Sequence, residues 1–146
     1  MRAAGIGPGA PTTSYGRGAS TGGGSCPLDV DALGRASWAL LHTMAAHYPD
    51  VPTATQRVQA RRFFDALGDL YPCATCRADF RVDSRASPPR VDSRASLSRW
   101  VCERHNEVNA KLGKPLVSCE LRDLDERWRH SQDCSHRGAS PNDADA

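Results

Sequence analysis

Between residues 29 and 130 the apolar positions recur at helical spacing, and no stretch alternates as a strand would. Residues 29–47, DVDALGRASWALLHTMAAH, place Leu33, Leu40, Leu41 and Met44 on one side. These are the expected core positions. Trp38 and His42, four apart and with Arg35 beside them, occupy a second face. Pro49 and Pro52 stop this helix, and Thr53 starts the next with a capping box completed by Gln56. Phe63, Phe64, Leu67 and Leu70 form its apolar side before Tyr71-Pro72 breaks it. Cys73-Ala-Thr-Cys76 opens a third helix, expected to reach about Val82. A fourth runs from about Arg94, capped by Ser93, to Leu112, with Leu97, Val101, Val108 and Leu112 as its core face. Cys102, Asn106 and Asn109 fall on another side of it, with His105 close to Asn109. Gly113 and Pro115 end it. A short fifth helix, capped by Asp123 with Glu126 three residues on, carries Trp128. The pattern predicts an all-α fold: a four-helix bundle plus a short fifth helix.

Two stretches stand outside this pattern. VDSRASPPR at 82–90 is followed by VDSRASLSR at 91–99. The first copy runs into Pro88-Pro89 and is expected to be loop, whereas the second continues into the fourth helix. The repeat itself reads as a slipped duplication without function. At the start of the chain, residues 1–25 hold eight of the twelve glycines and no acidic side chain. Such a segment buries too little apolar surface to offset its ordering entropy, so it is expected to be a disordered Gly/Ser-rich tail. It lacks the apolar stretch of a secretory signal. Residues 135–146 are expected to form a second disordered tail, leaving 26–134 as the one structured domain.

Charge and hydropathy narrow the function classes. The net charge of +2 is spread with both signs mixed, so no basic stripe marks a nucleic-acid partner. No apolar run is long enough for a membrane span. Six cysteines among 146 residues are the unusual feature. They imply an oxidising compartment, a metal or redox chemistry. Cys73 and Cys76 sit at a helix start, where the helix dipole and free N–H groups favour a thiolate, and their spacing is within disulfide reach. Cys102-Glu-Arg-His105 offers a rival reading, a zinc site built from Cys73, Cys76, Cys102 and His105. Spacing leaves redox pair, zinc site and inert structural disulfide all open. Cys102 and Cys119 flank the Gly113-Lys-Pro turn, and a bridge there would contribute about 3 kcal/mol. Cys26 and Cys134 bound the structured body and could pair within a chain or across a dimer.

The segments CPLDVDALGRASWALLHTMAAHYPD, YPCATC, WVCERHNEVNAKLGKP and DERW together resemble the Erv/ALR family of flavin-linked sulfhydryl oxidases. The similarity spans residues 26–134 and is nearest the mitochondrial augmenter-of-liver-regeneration type. It implies a helical bundle holding FAD, a homodimer, and no bound metal. It implies that Cys73 and Cys76 are the catalytic disulfide, with Cys76 next to the flavin and Cys73 open to substrate. Gly34, Arg35, Ser37, Trp38, His42 and Tyr48 match flavin-contacting positions in the first helix. Cys102, His105, Asn106, Val108, Asn109, Lys111 and Lys114 match those of the fourth helix and its turn, and Arg127 and Trp128 those of the last. Cys102–Cys119 matches the family's structural disulfide, and Cys26 and Cys134 match cysteines joining two subunits. The residues accommodate this reading: Lys111 and Lys114, the only lysines in the chain, suit a pyrophosphate or adenine end.

The resemblance also implies dithiol protein substrates, with an import oxidoreductase of the mitochondrial intermembrane space among them, and dioxygen or cytochrome c as acceptor. The expected location is that compartment, with a cytoplasmic or secreted short form as the alternative. Many family members carry a second C-x-x-C in a flexible tail, and neither tail here has one. Substrate thiols are therefore expected to reach Cys73 directly, or the sequence to be a short or incomplete form. Two other classes compete: a zinc-stabilised helical adaptor and a disulfide scaffold acting as a growth factor.

Overall fold

The computed structural model describes residues 27–130, which form five helices and, among the described residues, no strand. They are α1 (Val30–Ala46), α2 (Ala54–Leu70), α3 (Ala74–Ala86), α4 (Arg94–Lys111) and α5 (Leu121–Trp128). The expected tails, together with Cys26 and Cys134, lie outside the described residues. Local chemistry explains most of the boundaries. Asp29 caps α1 by accepting from the Ala32 amide. Thr53 and Gln56 form the expected reciprocal capping box at α2. Ser93 caps α4. Gly113 ends it with φ +65°, a left-handed conformation that a Cβ would strain. The expected cap of α5 is corrected: the helix begins one turn earlier, at Leu121, with Glu120 at the cap position and no capping side chain. Asp123 lies in the first turn instead.

The core is Leu41, Ala45, Phe64, Val91, Leu97, Trp100 and Val101. Trp100, which the apolar pattern did not single out, is its centre. It is 1% exposed, meets Phe64 and Phe80 edge-on, and donates its indole N–H to the Ser87 carbonyl at 2.8 Å. α1 packs chiefly on α4, α2 on α3, and α5 closes over α1 and α4.

Several expected core positions are solvent-facing. Leu40 and Met44 are 56% and 44% exposed, whereas Leu41 is 5% exposed. The stripe that α1 turns inward contains Leu41, His42, Ala45 and Ala46. The face with the imidazole is therefore an inward face. Periodicity identifies a helix but does not choose between two stripes one residue apart. Leu70 and Leu112 are 78% and 59% exposed because they sit at helix ends, beyond the layer they would pack against. The first VDSRA copy is also corrected. Its residues 82–86 complete α3, and only from Ser87 does the chain become loop. In the second copy Val91 is fully buried, Ser93 is a cap and Arg94 opens α4.

Candidate functional site

Two neighbouring arrangements carry chemistry, and α1 touches both. The first is the disulfide between Cys73 and Cys76 at the start of α3, with Cα atoms 5.3 Å apart. Cys73 is the N-cap residue, and its Sγ accepts from the Cys76 amide at 3.3 Å. Once reduced, either sulfur would lie at the positive end of the helix dipole, which favours the thiolate. The preceding turn is held from two sides. The Arg77 guanidinium donates to the Tyr71 carbonyl at 2.9 Å, and the Tyr71 hydroxyl meets Ser37 Oγ of α1 at 3.1 Å.

The second is an aromatic nest between α1, α4 and α5. Trp38 stacks on His105 with centroids 4.3 Å apart, and His42 stacks on Trp128 at 4.6 Å, each pair within 6° of parallel. The two imidazoles meet at 3.1 Å, Nε2 of His42 to Nδ1 of His105. One ring must donate and the other accept, as two neutral imidazoles can. Electrostatics agree. Burial, then His105, then Arg127 push the His42 pKa down to about 3. Burial, then Arg127 and Lys114, lower that of His105. The Arg127 guanidinium lies 4.9 Å from the Trp128 ring centroid, in cation–π contact.

Beside this nest opens a cavity of about 410 Å³, lined by His42, His105, Asn109, Lys114, Arg127 and Trp128 among others. That volume falls within the range of small-molecule sites. Six residues expected to contact a flavin therefore share one cavity, and Trp38 backs it through His105. The other expected contacts do not line it. Gly34 is half-buried and Arg35 exposed near the start of α1, and Ser37 faces Tyr71. The Tyr48 hydroxyl donates to the Val91 carbonyl. Cys102 is wholly buried, and Val108 is half-buried. Asn106 grips the loop after α4: its Nδ2 donates to the Val117 carbonyl and its Oδ1 accepts from the Val117 amide. Lys111 pairs with Asp83 at 2.9 Å. Cys73 and Cys76 are not among the cavity-lining residues.

The loop also supplies lining residues that the sequence reasoning missed, Pro115, Val117 and Ser118, and α5 supplies Asp123 and Leu124. The available signal was the Cys102–Cys119 spacing. The structure joins that pair, with Cα atoms 5.6 Å apart, folding the loop back over α4. Of the rival zinc set, Cys102 is tied to Cys119 and Cys73 to Cys76, so none of its three sulfurs is a free thiolate in this structure.

The sequence and the helical fold are shared with characterised proteins. The sequence pattern of the Erv1 / Alr family matches residues 35–129, and the chain belongs to that family. It is 44% identical over 107 residues to the mitochondrial FAD-linked sulfhydryl oxidase ERV1 of Saccharomyces cerevisiae, across 73% of this chain and 56% of that protein. It is 42% identical over 113 residues to the FAD-linked sulfhydryl oxidase ERV1 of Oryza sativa subsp. japonica, across 77% and 57%. The chain thus spans little more than half the length of these relatives. The crystal structure of the yeast Erv1 core superposes with a TM-score of 0.72 at 42% identity, covering 81% of this chain and 98% of that one.

Proposed function

We propose that this chain is an FAD-dependent thiol oxidase that forms disulfide bonds in protein substrates. The observation that carries this reading is the Cys73–Cys76 disulfide at the start of α3, linked through Tyr71 and Ser37 to the helix that bears Trp38 and His42. The names of the yeast and rice relatives support it. The cavity fits the cofactor's chemistry. Flat rings and neutral imidazoles suit a planar heteroaromatic group, and Lys114 and Arg127 suit a diphosphate.

In the protein half-reaction a substrate thiolate attacks Cys73 Sγ, and the Cys73–Cys76 bond breaks. Cys76 leaves as a thiolate, which the α3 N-terminus stabilises. A second substrate thiolate then attacks the mixed disulfide and releases Cys73. The substrate has lost two electrons and two protons, and the Cys73–Cys76 pair has gained two electrons. FAD, when bound, supplies the two-electron chemistry that reoxidises the pair and delivers the electrons to dioxygen, giving hydrogen peroxide, or to cytochrome c.

Cys76→Ala is expected to keep bound FAD, read from its visible absorption, and to lose all dithiol oxidation. Normal oxidation by that variant would overturn the assignment. The same reading takes the protein as mitochondrial, as the Saccharomyces cerevisiae relative is named, and has it act in the intermembrane space with an import oxidoreductase among its dithiol substrates. It takes the chain as a homodimer, for which the exposed Leu40 and Met44 on α1 provide apolar surface, with Cys26 and Cys134 as the inter-subunit link. Among the described residues no helix is long and apolar enough to cross a membrane.

A further inference from the structure

We infer that Arg94 is a positioning residue for the cofactor cavity, acting through α5; the inference rests on the FAD reading above. α5 contributes Asp123, Leu124, Arg127 and Trp128 to the cavity, yet it has only eight residues. A helix that short does not hold its shape in water by itself. It has no capping side chain, and its one buried residue is Leu124. Besides the Trp128–His42 stack and the Cys102–Cys119 bridge just ahead of the helix, it is held by Arg94, the first residue of α4.

The Arg94 side chain is 10% exposed and reaches in two directions. Its Nη1 donates to Asp125 of α5, and its Nε donates to Asp50, in the α1–α2 connection, at 3.0 Å. Its backbone amide donates to the Pro49 carbonyl at 3.1 Å. One buried guanidinium therefore ties α5 to the start of α4 and to the end of α1's connection. Asp125 stands two residues before Arg127 and three before Trp128, so the tie holds the segment that presents both side chains. The Asp125 arm is the enclosed one, with the carboxylate side chain 21% exposed. Asp50 is 71% exposed and reaches no part of the cavity lining. Breaking a buried pair on one side leaves an uncompensated charge, which is costly, so α5 would swing off rather than stay in place.

The test compares Arg94→Gln, Asp125→Asn and Asp50→Asn by FAD titration with flavin fluorescence, alongside amide hydrogen exchange resolved by helix. R94Q and D125N are expected to raise the FAD Kd at least tenfold. Exchange should quicken across residues 121–130, while the second half of α4 keeps its protection. D50N should change the Kd less than twofold. Where R94Q does not fold, D125N gives the same reading, since it removes only the α5 arm. A wild-type Kd in both R94Q and D125N overturns the inference. So does loss of protection in all helices together, because Arg94 would then be holding the fold and not the wall. If the unsubstituted chain binds no FAD, the cofactor reading falls and takes this inference with it.

Discussion

His42 makes the stability of this protein depend on pH in a direction opposite to that of a salt-bridged histidine. In the unfolded chain its imidazole titrates near 6.5; in the fold, burial together with His105 and Arg127 pushes it down to about 3. Between these values the unfolded state binds the proton and the folded state does not. Stability therefore rises with pH across that window and is lost as the solution is acidified. With these two pKa values, the loss relative to pH 7 is about 2 kcal/mol at pH 5 and about 3 kcal/mol at pH 4. Below the folded pKa no further loss arises from this group. His105, lowered in the same direction, adds to the slope. The assay is urea unfolding of the oxidised, cofactor-free chain at pH 7, 6, 5 and 4, run in parallel on His42→Phe. Phenylalanine keeps a ring against Trp128 but removes the titrating group. Carboxylates titrate in both proteins and cancel in the difference. The variant's stability relative to wild type is expected to improve by about 2 kcal/mol between pH 7 and pH 5. Parallel curves would show that His42 is not held neutral by the nest, and the electrostatic account of the cavity would fail with it.

Replacing both members of the Cys102–Cys119 bridge by serine opens a loop closed across 17 residues. The expected cost is about 3 kcal/mol, visible as a lower urea midpoint. The same variant should bind FAD more weakly, since the loop carrying Lys114 and Val117 would be held only by Asn106 and by the Gly113 and Lys114 amides at its start; unchanged unfolding and binding would refute the role given to the bridge. Trp100→Ala removes the centre of the core and the bond to Ser87, and should destabilise by about 3–5 kcal/mol in the same unfolding assay.

What could be read from the sequence was what local chemistry decides. Thr53 with Gln56, Ser93 and Gly113 act within one turn of chain, and they mark helix ends without any partner. The choice of buried face is not local. Leu41 and Leu40 are chemically identical, and only the positions of α4 and α5 bring one of them inside. Trp100 was passed over for a similar reason: its burial depends on Phe64 and Phe80 from two other helices. At the site, the residues on α4 and α5 that line the cavity were found because a family resemblance named them together. Asn106 and Lys111 were named with them, yet their polar atoms are occupied by Val117 and Asp83. Arg94 was seen only as a helix boundary, because its two carboxylates lie 44 residues before it and 31 after.

The twin VDSRA segments bear on how the chain finds its own helices. Ser84 lies within α3, which gives way to loop at Ser87, whereas its twin Ser93 caps α4. After the first copy stand Pro88 and Pro89, where neither ring can supply an amide and each crowds the preceding carbonyl, so α3 cannot run on. After the second stands Leu97, and the helix continues through Trp100 and Val101. The two prolines thus act as a directional stop that lets a duplicated sequence encode one fold.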